Sequence, residues 1–134
     1  MYSFSDVIYN AEAQTATIGT GLVWDTVYST LEAYGVNVVG GKATGVGVGG
    51  YTLGGGKFSQ LLNSVGDVTA DPLTGYSYLS NQYGLGVDNI VELELVMPNG
   101  TVTTVNSASE PDLFFGLRVS SWTCRPRTML IFAL

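Results

Sequence analysis

The stretch that most limits what this chain can become is Thr44 to Gly56, TGVGVGGYTLGGG, in which seven of thirteen residues are glycine. Glycine loses more backbone freedom on folding than any other residue, so a run this dense is unfavourable unless the chain turns sharply or passes close to something. Gly45, Gly47 and Gly50 match G-x-G-x-x-G, a spacing that binds dinucleotides when a strand precedes it and a helix opens directly after it. Here YTLGGG follows, with more glycine where a helix would propagate. The expectation is a pair of non-helical turns, not a Rossmann crossover. Consecutive N–H groups in such turns form concave nests that hold an anion without Lys or Arg. The plainer alternative is that these glycines only serve tight β-turns.

Composition narrows the function classes. A chain of 134 residues, 46% of them hydrophobic, has the length of one domain with a modest core. A net charge of −6 gives no electrostatic footprint for nucleic acid or an anionic membrane, so neither is expected as a partner. The absence of His removes His-ligated metal and His-based proton transfer, and the single Cys124 removes an internal disulfide framework. No metal site is expected. No apolar leader follows Met1, and the run MLIFAL is too short to span a bilayer.

Periodicity places the elements. DVIYNAEAQTATIG alternates on either side of a polar turn at Asn10–Ala13 and predicts a β-hairpin. Trp24, Val27, Tyr28 and Leu31 stand at i, i+3, i+4 and i+7 and predict a core-facing helix over Leu22–Tyr34, with Gly35 at its C-terminal cap. VNVVG reads as a short buried strand. In NIVELELVM, Val91, Leu93, Leu95 and Met97 alternate with glutamates and predict a half-buried strand over Asn89–Met97. A turn at Pro98–Gly100 returns it as TVTTV, and EPDLFFGL starts a helix with Pro111 in its first turn.

The succession GLVWDTVY, VVGGK, VGVGGYTLGGG, YGLGVDNIVELELVMPNG and PDLFFGLR covers, with its flanks, about three quarters of the chain. It resembles the FAD-binding domain of fungal flavin-dependent oxidoreductases of the vanillyl-alcohol-oxidase and berberine-bridge-enzyme-like superfamily. The resemblance implies an α+β fold, a partial PCMH-type FAD-binding domain with a mixed sheet and flanking helices, in which two subdomains clasp an extended FAD. It implies two-electron oxidation of a small-molecule substrate, usually with O2 as acceptor. It assigns cofactor contact to Gly47, Val48, Gly49, Gly50, Gly54, Gly55 and Gly56, through their backbone, and to Gly84, Leu85, Asp88 and Ile90. For Asp88 the residue type also allows a turn-closing carboxylate.

Departures from the family pattern matter equally. Its members carry an upstream Arg/Lys-Ser-Gly-Gly-His loop that wraps the pyrophosphate and often attaches the flavin, and some add a flavin-linked cysteine where Ala43 stands here. Neither is present in this sequence, nor is an identifiable catalytic residue, so bicovalent attachment is not expected and the isolated chain is expected to be inactive. The competing readings are an inert fragment and a module binding some other anion. Relatives of this kind are often secreted.

Two segments do not match. KFSQLLNSVGDVTADPLTG, residues 57–75, interrupts LGGG–YSYLSN with a loop longer than compact domains usually carry. Gly56-Lys57 can encode a splice donor, Ala70-Asp71 a branch-like CTGAC and Thr74-Gly75 an acceptor, and removal of the interval restores one Gly in frame. Residues 57–75 therefore read as an inserted loop or retained intron within a domain of residues 1–118, and 119–134 as an unmatched tail, either non-coding in origin or a divergent terminus.

Overall fold

The computed structural model describes residues 4–53, 77–119 and 129–133. The segment at 57–75, together with Gly54, Gly55 and Gly56, lies outside the described residues, as does Cys124.

The chain order is β1 (Val7–Asn10), β2 (Thr15–Gly19), α1 (Trp24–Glu32), α2 (Val48–Leu53), α3 (Ser80–Tyr83), a 3-10 turn (Gly86–Asn89), β3 (Ile90–Val96), β4 (Val102–Asn106), α4 (Pro111–Val119) and β5 (Met129–Ala133). The strands form one sheet in the order β1-β2-β5-β3-β4. Every pairing among them is antiparallel, so the α+β class and the flanking helices stand while the mixed sheet becomes an antiparallel one. The reason is connectivity. Two tight hairpins supply β1-β2 and β3-β4, and a strand running against both β2 and β3 joins them.

The first hairpin closes because Asn10 Oδ1 accepts the N–H groups of Glu12 and Ala13. The second turns at Gly100, which takes φ +85°. At the end of α1, Gly35 at φ +69° donates its N–H to Glu32 O and Val36 donates to Leu31 O. This is the Schellman pattern expected of a C-terminal glycine.

Three sequence expectations shift. VNVVG forms no strand: Val38 and Val39 are buried, but the segment has no ladder partner. In β3 the pairing slips between Ile90 and Glu92, making Val91 the extra residue of a β-bulge. Ile90, Leu93 and Leu95 face the core and Val91 is 46% exposed, so the alternation starts one residue earlier than the sequence suggests. Finally, MLIFA lies within the unmatched tail and yet forms β5 between the two hairpins.

One core holds these elements. Ala16 and Ile18 of β2, Leu93 and Leu95 of β3 and Val105 of β4 meet Trp24, Val27 and Leu31 of α1, Val48 and Tyr51 of α2, and Phe114 and Leu117 of α4. The helices thus cover one face. The other face carries Thr15, Thr17, Glu92, Glu94, Thr104 and Asn106, placed together by the strand registers.

Candidate functional site

The glycine run is anchored from the start of α1. Trp24 is fully buried, and its ring packs against Gly40 and Gly41: a Cβ on Gly40 would overlap the ring, and one on Gly41 would stand 2.7 Å from it. No other residue type fits beneath the indole. The main-chain N–H of Trp24 then donates to Val46 O at 3.0 Å and that of Val48 to Leu22 O at 2.9 Å, bridging Val23 to Gly47. Asp25 Oδ2 accepts the N–H of Gly45 at 2.8 Å, where the backbone takes φ +80°. Tyr28 Oη donates to Gly41 O at 3.0 Å. Burial pushes that hydroxyl up to about 12; a hydrogen bond with Ser77 opposes the shift and the Asp25 carboxylate adds to it. Tyr28 is therefore a fixed donor at neutral pH.

After Gly47 the chain does not make the expected non-helical turns; it forms the short helix α2. Glycine is a poor helix former, and packing overrides it: Val48, Tyr51 and Thr52, at i, i+3 and i+4, are all buried, and Thr52 Oγ1 donates to Val48 O at 2.7 Å. No strand leads into this helix, so of the two conditions for a Rossmann arrangement the helix is met and the strand is missing, the reverse of the sequence expectation. Within α2 the glycines separate by role. A Cβ on Gly49 would stand 3.3 Å from the Cβ and carbonyl oxygen of Thr20, so its smallness lets α2 approach the end of β2. Gly47 and Gly50 meet nothing within 4 Å. They present bare backbone outward.

The second segment lies against the first through Tyr51, whose ring rests on Gly86: a Cβ there would be 2.7 Å from Tyr51 Cε1. Burial raises the Tyr51 hydroxyl strongly, and the neighbouring Tyr28 adds to the shift. The loop from Tyr83 to Asn89 is tied from inside. Asp88 Oδ2 accepts the Leu85 N–H at 3.0 Å, and Asn89 Nδ2 donates to Tyr83 O at 2.9 Å and Leu85 O at 2.8 Å. Gly84 takes φ +80° beside the Asp88 carboxylate. Asp88 thus closes a turn, as its residue type allows. Leu85 stands at the surface, 36% exposed, while Ile90 and Val48 point into the core; only their backbones remain for a ligand.

Two clefts border these segments. One, of about 250 Å³, is lined by Asp25, Tyr28, Gly41, Lys42, Ser77 and Tyr78 among others. The other, of about 410 Å³, carries Gln14, Asn37, Gln82, Tyr83 and Asn89 and has no charged residue in its lining. Sequence reasoning assigned no role to Tyr51 or Arg118. The available signal for Arg118 was its place four residues after Phe114 at the end of the helix, one turn along the same face.

No family model matches the chain. It is 38% identical over 112 residues to an uncharacterized FAD-linked oxidoreductase of Arthroderma benhamiae, a match covering 84% of this chain and 19% of that protein. It is 37% identical over 118 residues to the FAD-dependent monooxygenase FUP4 of Fusarium proliferatum, covering 88% of this chain and 19% of that one. Its fold superposes on BBE-like 1 of Physcomitrella patens with a TM-score of 0.78 and 31% identity, over 98% of this chain and 25% of the other. The chain belongs to the berberine-bridge-enzyme-like FAD-linked oxidoreductases. It spans about a fifth of the length of these two curated relatives.

FAD is the cofactor of these oxidoreductases, and bare backbone at Gly47 and Gly50 fits a ligand that must approach the main chain closely. Of the five Lys and Arg residues, only Lys42 and Arg118 lie among the described ones. Arg118 is turned to Asp88. Among the described residues no group of three potential metal ligands occurs, and no helix is long and apolar enough to cross a membrane.

Proposed function

We propose that this chain is a FAD-holding stretch of an oxidoreductase that oxidises a small organic substrate and delivers the electrons to O2. The observation that carries the reading is the common fold and 31% identity with BBE-like 1 along nearly the whole chain. FAD, when bound, supplies the two-electron chemistry. The chain supplies position: the Gly47–Gly50 backbone, continued in sequence by Gly54, Gly55 and Gly56, and the backbone of Gly84, Leu85, Asp88 and Ile90 form the contact surface. Trp24, Asp25 and Tyr28 hold the first of these segments in place from behind.

Alone, the chain is expected to show no FAD binding up to roughly millimolar, a free energy of about −4 kcal/mol at most, because it has few cations to offset two phosphates. The decisive experiment is a hybrid in which this sequence replaces the homologous stretch of the Arthroderma benhamiae relative, made with and without residues 57–75. Retention of flavin, read as visible absorbance after gel filtration, is the expected result. Loss of flavin from both folded hybrids overturns the proposal. Gly50→Val in the retaining hybrid should remove the flavin and leave the circular dichroism unchanged, since the added side chain points into open space rather than into the core.

A further inference from the structure

We infer that Arg118 is a positioning residue for the Tyr83–Asn89 loop, and hence for one of the two surfaces proposed to contact FAD; the inference rests on that reading for its functional half only. The loop's internal bonds fix its own shape, but they do not fix where it sits. At its start Tyr83 and Gly84 donate to Leu79 O and Ser80 O of the preceding turn, and Val87 packs against the core; two further holds come from α2 and α4. One is the Tyr51 ring on Gly86, a contact that resists compression alone. The other is Arg118, which donates from Nε to Val87 O at 3.0 Å and places Nη2 3.5 Å from Asp88 Oδ1.

Nε and Nη2 lie along one edge of a planar guanidinium, so a single side chain grips the main chain of one residue and the carboxylate of the next. An ammonium presents a point charge and has no such edge. Asp88 in turn uses its other oxygen on the Leu85 N–H. The line from α4 to the exposed Leu85 backbone is therefore continuous: guanidinium, carboxylate, amide. Arg118 is itself held by Phe114 one turn earlier, with the guanidinium carbon 5.3 Å from the ring centroid, and Phe114 and Leu117 seat α4 in the core. The ion pair is half-exposed and adds little stability. Its contribution is geometric.

Hydrogen exchange on the full chain tests the positioning half without any flavin. Arg118→Lys, which keeps the charge and the fold, should speed exchange at the Leu85 amide by about tenfold while the β3 and β4 amides stay protected. Arg118→Met should do the same, and Asp88→Asn, which retains an acceptor for Leu85 but loses the pairing charge, should give a smaller increase. In the flavin-retaining hybrid, Arg118→Lys should weaken FAD retention by about tenfold and shift the flavin absorbance, with a thermal midpoint within a few degrees of the parent. Uniformly faster exchange throughout the sheet would make Arg118 an ordinary stabilising residue and overturn the inference, as would unchanged exchange at Leu85. If the parent hybrid holds no flavin, the proposed function fails and the exchange result still stands or falls alone. If it holds flavin and Arg118→Lys leaves retention and spectrum untouched, the functional half is wrong.

Discussion

The two glycine-bearing segments are held in opposite ways. Residues 40–50 are clamped from outside by apolar surfaces, with Trp24 on Gly40 and Gly41 and Thr20 against Gly49, so glycine is needed there for space. Residues 83–89 are tied from inside by Asp88 and Asn89, and Gly84 is needed for its left-handed backbone. The first segment draws mainly on the hydrophobic core; the second draws mainly on exposed polar bonds, with the Tyr51 ring and Val87 as its apolar contacts. A disturbance of the first should spread through the domain, while one of the second should stay local.

Trp24→Ala gives that contrast its severest trial. It should cost about 4 kcal/mol, by truncating a fully buried indole and freeing Gly40 and Gly41 at once. Urea denaturation should show the loss, and Gly40→Ala should follow with about 3 kcal/mol from overpacking against the ring. Alkali tests the same region. The raised values of Tyr28 and Tyr51 favour the neutral hydroxyls in the folded state, so their contribution is complete below about pH 10 and is lost as the pH rises through about 12, the folded value for Tyr28. A urea midpoint that falls over this interval, and falls less steeply in Tyr28→Phe, is the expected profile.

Changes in the second segment should be smaller. Gly84→Ala should cost about 1–3 kcal/mol in thermal unfolding, for a side chain at φ +80° and ψ −162° crowding the Asp88 carboxylate. Asp88→Ala removes the acceptor for the Leu85 N–H and should cost about 1 kcal/mol by the same measurement. Least of all, Gly50→Ala should leave stability equal or raise it by less than about 1 kcal/mol, because it adds a helix former facing open space. Should Gly84→Ala unfold the chain as thoroughly as Trp24→Ala, the division between a clamped and a tied segment would collapse.

What the sequence made legible follows the same division. Both hairpins, α1 with its glycine cap and α4 with Pro111 in the first turn could be read because local pattern and tertiary burial agree there. α2 could not, since its helical state comes from burying Val48, Tyr51 and Thr52 against glycine's own preference. VNVVG had the composition of a strand but no edge to join. β5 was passed over because a five-residue apolar run carries no period of its own; only its place between β2 and β3 makes it a strand. For the candidate site, motif resemblance picked out two segments. It could not separate Gly50, facing outward, from Gly49 and Val48, turned to the protein itself, nor could it bring Arg118 to Asp88 across thirty residues of chain.

The position of β5 has a consequence for how the molecule comes into being. Thr17 finds its partner in Ile131, and Glu92 finds the same partner from the other side. Each hairpin can form locally within microseconds, but the two halves of the sheet share no strand contact until the chain has reached Met129. Until then β2 and β3 each present an unpaired edge, and closing the sheet requires a contact between distant parts of the sequence. Such topologies fold slowly and leave sticky edges open while they wait. During synthesis the order of events is thereby set: two hairpins first, one continuous sheet only when β5 arrives to join them.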